Sequence, residues 1–336
     1  MAGPRKIQFI PKKIRNASGP DPAFPPLRSL AMNAVYYDAP HSDDARREEL
    51  FRGQLFVQSP SPGAMGLIAH ARTMIEEAFG ELDPRTAQDH MPVEAYATLL
   101  TDLKPRFIHH PRSKECIQQM LVELGADPQK TYFDVPRMRS STSGGYLTSG
   151  IAYAFHPHRD TWYSAPMCQL NWWLPIYEVE PDNVMAFHPR YWDEPVPNSS
   201  NEYNYYEWNA TSRKEAGQHV LTDTRKQPKA TEPIEPDPQI RIVGPPGSTV
   251  IFSAAQLHSS VENTTGRTRF SIDFRTVHLD DVVARRGAPN IDSACTGTTM
   301  RDYLQVGDLS HLPEDIVAAY DDDSSRQRQD ALTFQS

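Results

Sequence analysis

The chain is expected to be mainly β with a helical N-terminal part, built as a double-stranded β-helix (a jelly roll) flanked by α-helices. Helical periodicity is confined to about residues 61–125, and after Gly125 the chain turns into short extended runs separated by Pro, Gly and Asp. Proline is frequent, 30 of 336 residues, which favours many turns over long helices. Short strands in this pattern argue for a sandwich or jelly roll, with the helices packed on one sheet from outside.

Residues 1–60 read as an N-terminal arm and loops. The first 20 residues carry Arg5, Lys6, Lys12, Lys13 and Arg15 without an acid, and Pro4 and Pro11 interrupt any amphipathic helix. A flexible or surface-docked basic arm is therefore expected, in preference to a transit peptide. In 64–79, Ile68, Ala71, Ile75 and Phe79 fall near one helical face, and Gly80 is a fitting stop. The stretch after Pro92 reads as a helix ending before Pro105. Ser113 is expected to cap a third, in which Ile117, Met120, Leu121 and Leu124 form an apolar stripe. Strands are expected over 131–140, 148–155, 166–176, 184–188, 239–243, 248–253 and 267–277. Residues 191–238 carry no convincing strand, and Tyr203, Tyr205, Tyr206 and Trp208 argue against plain disorder. They are read as an insertion near the mouth of a single catalytic domain spanning 61–280. Residues 281–336 form a C-terminal extension with one short helix at 313–320.

The net charge of −9 gives no electrostatic reason to expect nucleic acid, because a protein that binds the phosphate backbone needs a basic face. Cys116, Cys168 and Cys295 are spaced unlike a zinc motif or a disulfide framework and fit a reducing compartment. No apolar run approaches the ~18 residues that span a bilayer, and a cytoplasmic protein is expected. The sequence leaves the oligomeric state open.

The chemistry is carried by His158 and Asp160, two residues apart, and by His258, 100 residues after His158. Two imidazoles and one carboxylate form the facial triad that holds non-heme Fe(II) and leaves positions open for substrate and oxygen. In YAFHPHRD, residues 153–160, apolar residues give way to polar ones, as at a strand end, and side chains two apart on a strand share a face. His258 follows the β-branched and aromatic run STVIFSAAQ. His156 is also two residues from His158, so His156, His158 and His258 form an alternative three-histidine site suited to zinc or a cupin-like metal centre. His188 reads as a structural turn residue.

From about Tyr153 to Val277 the sequence resembles the phytanoyl-CoA dioxygenase-like branch of the Fe(II)/2-oxoglutarate-dependent oxygenases. The marks come in order: His158-Arg159-Asp160 followed by Trp162 and Tyr163, then QLNWWLPIYEVEPDN, and last GPPGSTVIFSAAQLHSSVENTTGRTRFSIDFR. Between them MAFHPRYW stands where the family has a Pro-Gly-Ser-His turn, without its Gly and Ser. The resemblance implies His158, Asp160 and His258 as ligands of Fe(II), 2-oxoglutarate as cosubstrate, and molecular oxygen and a small molecule as the other reactants. It also implies that a basic residue eleven positions after the last histidine, here Arg269, binds the far carboxylate of 2-oxoglutarate. Arg267 and Arg275 share its strand face, so parity alone does not choose among the three.

Gln169 and Asn171 make one face of the Trp-rich strand polar, able to reach the cosubstrate or to bond the next strand. Arg137, Arg139 and Arg275 suggest recognition of a carboxylate-bearing substrate, such as an amino acid or a natural-product intermediate. A solvated edge strand with basic guards explains Arg137 and Arg139 equally well. Two other readings stay open: a jelly-roll metal enzyme without 2-oxoglutarate, such as a cupin-like isomerase or dioxygenase, and a non-catalytic binding module.

Overall fold

Residues 33–148, 156–212, 225 and 227–321 are described, in a computed structural model. The basic arm, all but Thr148 of the strand expected over 148–155, and the polar end after 321 lie outside the described residues. In chain order the elements are β1 (Val35–Tyr37), α1 (Asp43–Phe51), β2 (Leu55–Gln58), α2 (Pro62–Phe79), α3 (Val93–His109), α4 (Pro111–Glu123), β3 (Thr131–Phe133), β4 (Arg137–Ser141), β5 (Leu170–Pro175), β6 (Met185–Phe187), α5 (Tyr205–Glu207), β7 (Ile240–Arg241), β8 (Thr249–Ser253), β9 (His258–Ser260), β10 (Arg269–His278), α6 (Leu279–Ala284), β11 (Leu304–Gln305) and α7 (Glu314–Ala318).

These elements form a mixed architecture of two sheets and packed helices. The larger sheet runs β1-β2-β8-β5-β10-β3-β11, with β4 also paired to β10, and the smaller runs β7-β6-β9. β10 is the spine: it pairs antiparallel with β3, β4 and β5. Its period-two alternation sorts its side chains. Phe270, Ile272 and Phe274 are fully buried in the main core with Phe79, Tyr96 and Trp172, while Arg269, Ser271, Asp273 and Arg275 occupy the opposite face. Each fully buried apolar side chain contributes roughly 1.5–3 kcal/mol, so the core-facing row fixes the register of the polar one.

The helices cover the core face. Ser61 caps α2 through Oγ, which accepts from Ala64 N at 3.3 Å, and the helix stops at Gly80 with φ 62°. Gly63 lets α2 cross α4 closely: a Cβ there would lie 2.5 Å from Met120 N.

Several boundaries differ from expectation. Residues 33–58, expected as loop, hold β1, α1 and β2, and β2 pairs β8 inside the large sheet. α3 runs through Pro105 to His109, because Leu100, Leu103 and Phe107 all bury on one side and the missing N–H is tolerated. Ser113 does not cap α4. The cap is His110, whose Nδ1 accepts from Arg112 N at 3.1 Å, while Ser113 is buried and donates to Phe107 O at 2.7 Å. Beyond residue 280, β11 pairs β3, so the C-terminal part contributes to the same sheet, and the short helix near its end is α7.

Candidate metal centre

His158 and His258 meet as a hydrogen-bonded antiparallel pair: His158 N donates to His258 O at 2.9 Å and His258 N donates to His158 O at 3.0 Å. Residues paired in this way project side chains to the same face, and the two imidazole centroids lie 4.4 Å apart. Asp160 does not continue a strand, as the two-residue spacing suggested. It is the first residue of a 3-10 turn, Asp160–Tyr163, and the turn swings its carboxylate beneath the rings. Asp160 Oδ1 is 3.3 Å from His158 Nε2 and 3.8 Å from His258 Nε2. Among the described residues these three are the one group of His, Cys, Asp and Glu side chains able to hold a metal ion, with ligand atoms within 4.8 Å of one another.

The backbone sets the tautomers. His158 Nδ1 donates to His156 O at 2.8 Å and His258 Nδ1 to Gln256 O at 2.9 Å, which leaves both Nε2 lone pairs facing Asp160. Burial, with the neighbouring His158, pushes His258 down to about 3, against the pull of Asp160. Burial raises the Asp160 carboxyl, but the contact with His158 and the charge of Arg275 outweigh it and hold the pKa well below the usual carboxylate range. The donor set is thus two Nε2 lone pairs and a carboxylate, as a divalent ion requires. The three-histidine alternative is not assembled: the His156 side chain is exposed and stands outside the group. His188 is a turn residue, with Nδ1 at 3.0 Å from Pro236 O and Nε2 at 3.0 Å from Ser259 Oγ.

The second oxygen of Asp160 faces donors. Arg275 Nε lies 3.4 Å and Gln169 Nε2 3.5 Å from Oδ2, and Gln169 is itself fixed by Tyr303 Oη, which donates to its Oε1 at 2.6 Å. Arg275 also bonds Asp134 at 3.1 Å. Arg275 and Gln169 were expected at substrate and cosubstrate. Their observed partners make them supports of the carboxylate. Arg137 bonds Asp134 at 2.5 Å, and Arg139 grips Asp273 through both nitrogens at 2.6 and 3.2 Å, so both expected guards are ion-paired within the fold. Asn171 accepts from Gln169 at 2.9 Å and lines the cavity.

Arg269 is different. It is buried, its NH1 donates to Asn183 O at 2.8 Å, its guanidinium lies over the Trp173 ring at 5.8 Å, and its Nε has no hydrogen-bond partner among the described residues. No carboxylate lies within ion-pair reach of it among the described residues, and burial pushes it down to about 10. Arg267, which sequence parity left as a rival, is exposed and precedes β10. Arg269 and the His158, Asp160, His258 group line one cavity of about 480 Å³.

Other residues also line that cavity, and of these Lys104 went unnoticed in the sequence. Lys104, from α3, is buried and donates to Ser140 Oγ at 3.1 Å, and burial with Arg139 nearby pushes it down to about 7. Tyr163 packs edge-on against His158 at 5.6 Å and against Tyr203 at 5.5 Å, which continues to Trp208 at 6.1 Å. The aromatic cluster in 203–208 was a visible signal for this wall. Lys104 gave none beyond preceding a proline.

No family model matches the chain, and no curated protein matches it. Solved structures similar to it include EvdO2 from Micromonospora carbonacea var. aurantiaca, at 12% identity over 71% of this chain and 92% of that one, TM-score 0.40, also solved with 2-oxoglutarate. The epimerase SnoN from nogalamycin biosynthesis, in complex with Fe3+, alpha ketoglutarate and nogalamycin RO, matches at 16% over 76% and 98%, TM-score 0.36. EctD from S. alaskensis, in its apoform, matches at 15% over 76% and 83%, TM-score 0.36. At such scores these likenesses carry no argument, and the chemistry rests on the side chains described above.

Proposed function

We propose that the chain is a non-heme Fe(II)/2-oxoglutarate-dependent dioxygenase of the phytanoyl-CoA dioxygenase-like type, its two sheets forming the walls of a double-stranded β-helix. Its substrate is a small carboxylate-bearing metabolite, such as an amino acid or a natural-product intermediate, oxidised by hydroxylation, desaturation or cyclisation. One observation carries this reading: an open two-histidine, one-carboxylate group shares a cavity with a buried arginine that has no ion-pair partner among the described residues. A buried guanidinium is strongly favoured by an anion, and its planar fork suits a carboxylate.

His158, His258 and Asp160 would hold Fe(II), and Arg269 the far carboxylate of 2-oxoglutarate. When bound, iron with 2-oxoglutarate and molecular oxygen supplies an oxidation driven by decarboxylation to succinate and carbon dioxide. The chain orients and excludes. Backbone carbonyls 156 and 256 keep both Nδ1 protonated, and Arg275 and Gln169 keep Asp160 turned. Trp173 flanks Arg269, and Tyr163, Tyr203 and Trp208 keep water from the side next to His158. Arg137 and Arg139, each paired with an aspartate, and Lys104 line the remaining wall, where an acidic substrate group would compete for their N–H donors. Unpaired thiols at Cys116, Cys168 and Cys295 accord with a reducing, cytoplasmic setting.

The test is anaerobic addition of Fe(II) and 2-oxoglutarate to metal-free protein, followed by admission of air. A weak visible charge-transfer band and then succinate release are expected. Absence of both sinks the reading, and a band without succinate turns it towards a binding module.

A further inference from the structure

Residues 292–303 lie beyond the stretch that carries the family resemblance, yet they grip the chain on both sides of Asp160. Asp292 accepts from Arg159 Nε at 2.9 Å and from Trp162 Nε1 at 2.8 Å. Arg159 is 1% exposed, so this pair is sealed in the interior beside the ligand. Ser293 Oγ donates to Thr161 O at 2.6 Å, and Cys295 Sγ lies 3.2 Å from the same carbonyl. Ser164 Oγ donates to Thr296 O at 2.7 Å, and Thr299 N returns a bond to Ser164 O at 3.2 Å. Tyr303 then fixes Gln169, whose amide faces Asp160 Oδ2.

We propose that residues 292–303 are a positioning clamp of the metal centre, which holds the turn 159–164 and Gln169 so that Asp160 offers one oxygen to the metal and keeps the other on Arg275 and Gln169. This rests on the metal-centre reading above. The physical reason is rotational. A carboxylate free to turn about its Cβ–Cγ bond presents both oxygens to a cation, and a second coordinated oxygen occupies a position that a cosubstrate needs. Donors on Oδ2 hold it to one-oxygen coordination, and donors are only as steady as what holds them. Tyr303 is the outermost link, and no part of its role is visible in the sequence motif.

The experiment uses Co(II), whose visible absorption reports ligand geometry, titrated anaerobically into the full-length metal-free protein. Four forms are compared: wild type, Tyr303→Phe, Gln169→Ala and the double variant. Tyr303→Phe is expected to weaken Co(II) binding about tenfold and to shift the visible band, with the metal-free melting temperature close to wild type. In the Gln169→Ala background the same substitution is expected to add nothing, because Tyr303 acts through Gln169. Equal affinity and spectrum in wild type and Tyr303→Phe would overturn the clamp. So would additive losses in the double variant, or a loss of melting temperature and affinity with an unchanged band shape. Failure of the wild type to bind Co(II) overturns the metal-centre reading and the clamp with it, and is distinct from wild-type binding that Tyr303→Phe leaves untouched.

Discussion

Arg269 keeps a positive charge in the interior with a backbone carbonyl and the face of Trp173 as its partners. Replacing a buried, carboxylate-free charge by an apolar side chain of similar length is often neutral or stabilising. Arg269→Met is therefore expected to leave the ligand-free melting temperature unchanged or higher, while abolishing the upward shift that 2-oxoglutarate with a divalent metal is expected to give the wild type. A lower ligand-free melting temperature would show that the arginine is structural. His258 makes a second prediction. Its proton is bound near 6.5 in an unfolded chain and near 3 in the fold, so between those values the unfolded state takes up more protons. The metal-free protein should lose stability as pH falls from about 6.5 towards 3, and His258→Gln should flatten that slope in melts compared at about pH 7 and about pH 5. At this scale the sequence was readable where the chemistry is local: His158, Asp160 and His258 gather as the spacing suggested, and Arg269 separates from Arg267 and Arg275. Strand parity put Gln169 and Arg275 on the polar face, but that both stand against Asp160 was out of its reach, because parity shows a face and not what stands opposite it. Tyr303 and Lys104 reach the site from distant elements, and no local pattern marks them.

β10 shows what an element adds. Its alternation was legible, since Phe270, Ile272 and Phe274 interleave with Arg269, Ser271, Asp273 and Arg275. Its three partner strands were not, because pairing depends on segments distant in the chain, as between Thr276 and Phe133 at one end and Asp273 and Arg137 along the strand. α3 and α4 misled at their ends: Pro105 was read as a stop and Ser113 as a cap, whereas burial of Phe107 carries the helix on and draws the Ser113 hydroxyl to its carbonyl. α1 and β2 were missed, short pieces whose order comes from Asp281 and β8. The α2–α4 crossing can be tested directly. Gly63→Ala places a methyl against the Met120 backbone and should destabilise by about 1–3 kcal/mol in chemical denaturation. An unaffected midpoint would mean that the helices separate easily.

Across the molecule, the cavity is lined by α3, both sheets, the turn that carries Asp160, the insertion around residues 203–209, and Thr299 and Asp302 from the C-terminal part. Filling it should steady all of them together. Hydrogen exchange at residues 203–209 is expected to slow severalfold when Co(II) and 2-oxoglutarate are added, and unchanged exchange there would argue that the insertion is only a fixed wall. The paired peptide groups of His158 and His258 carry a different consequence. The two imidazoles are set by a register of two backbone hydrogen bonds, seconded on the His258 side by the pairing of β9 with β6. A slip of one residue would turn one imidazole to the opposite face and leave a centre with a single histidine. Uptake of a metal would therefore proofread strand pairing, and a folding chain that bound it would already have chosen the right partner for its 158th residue.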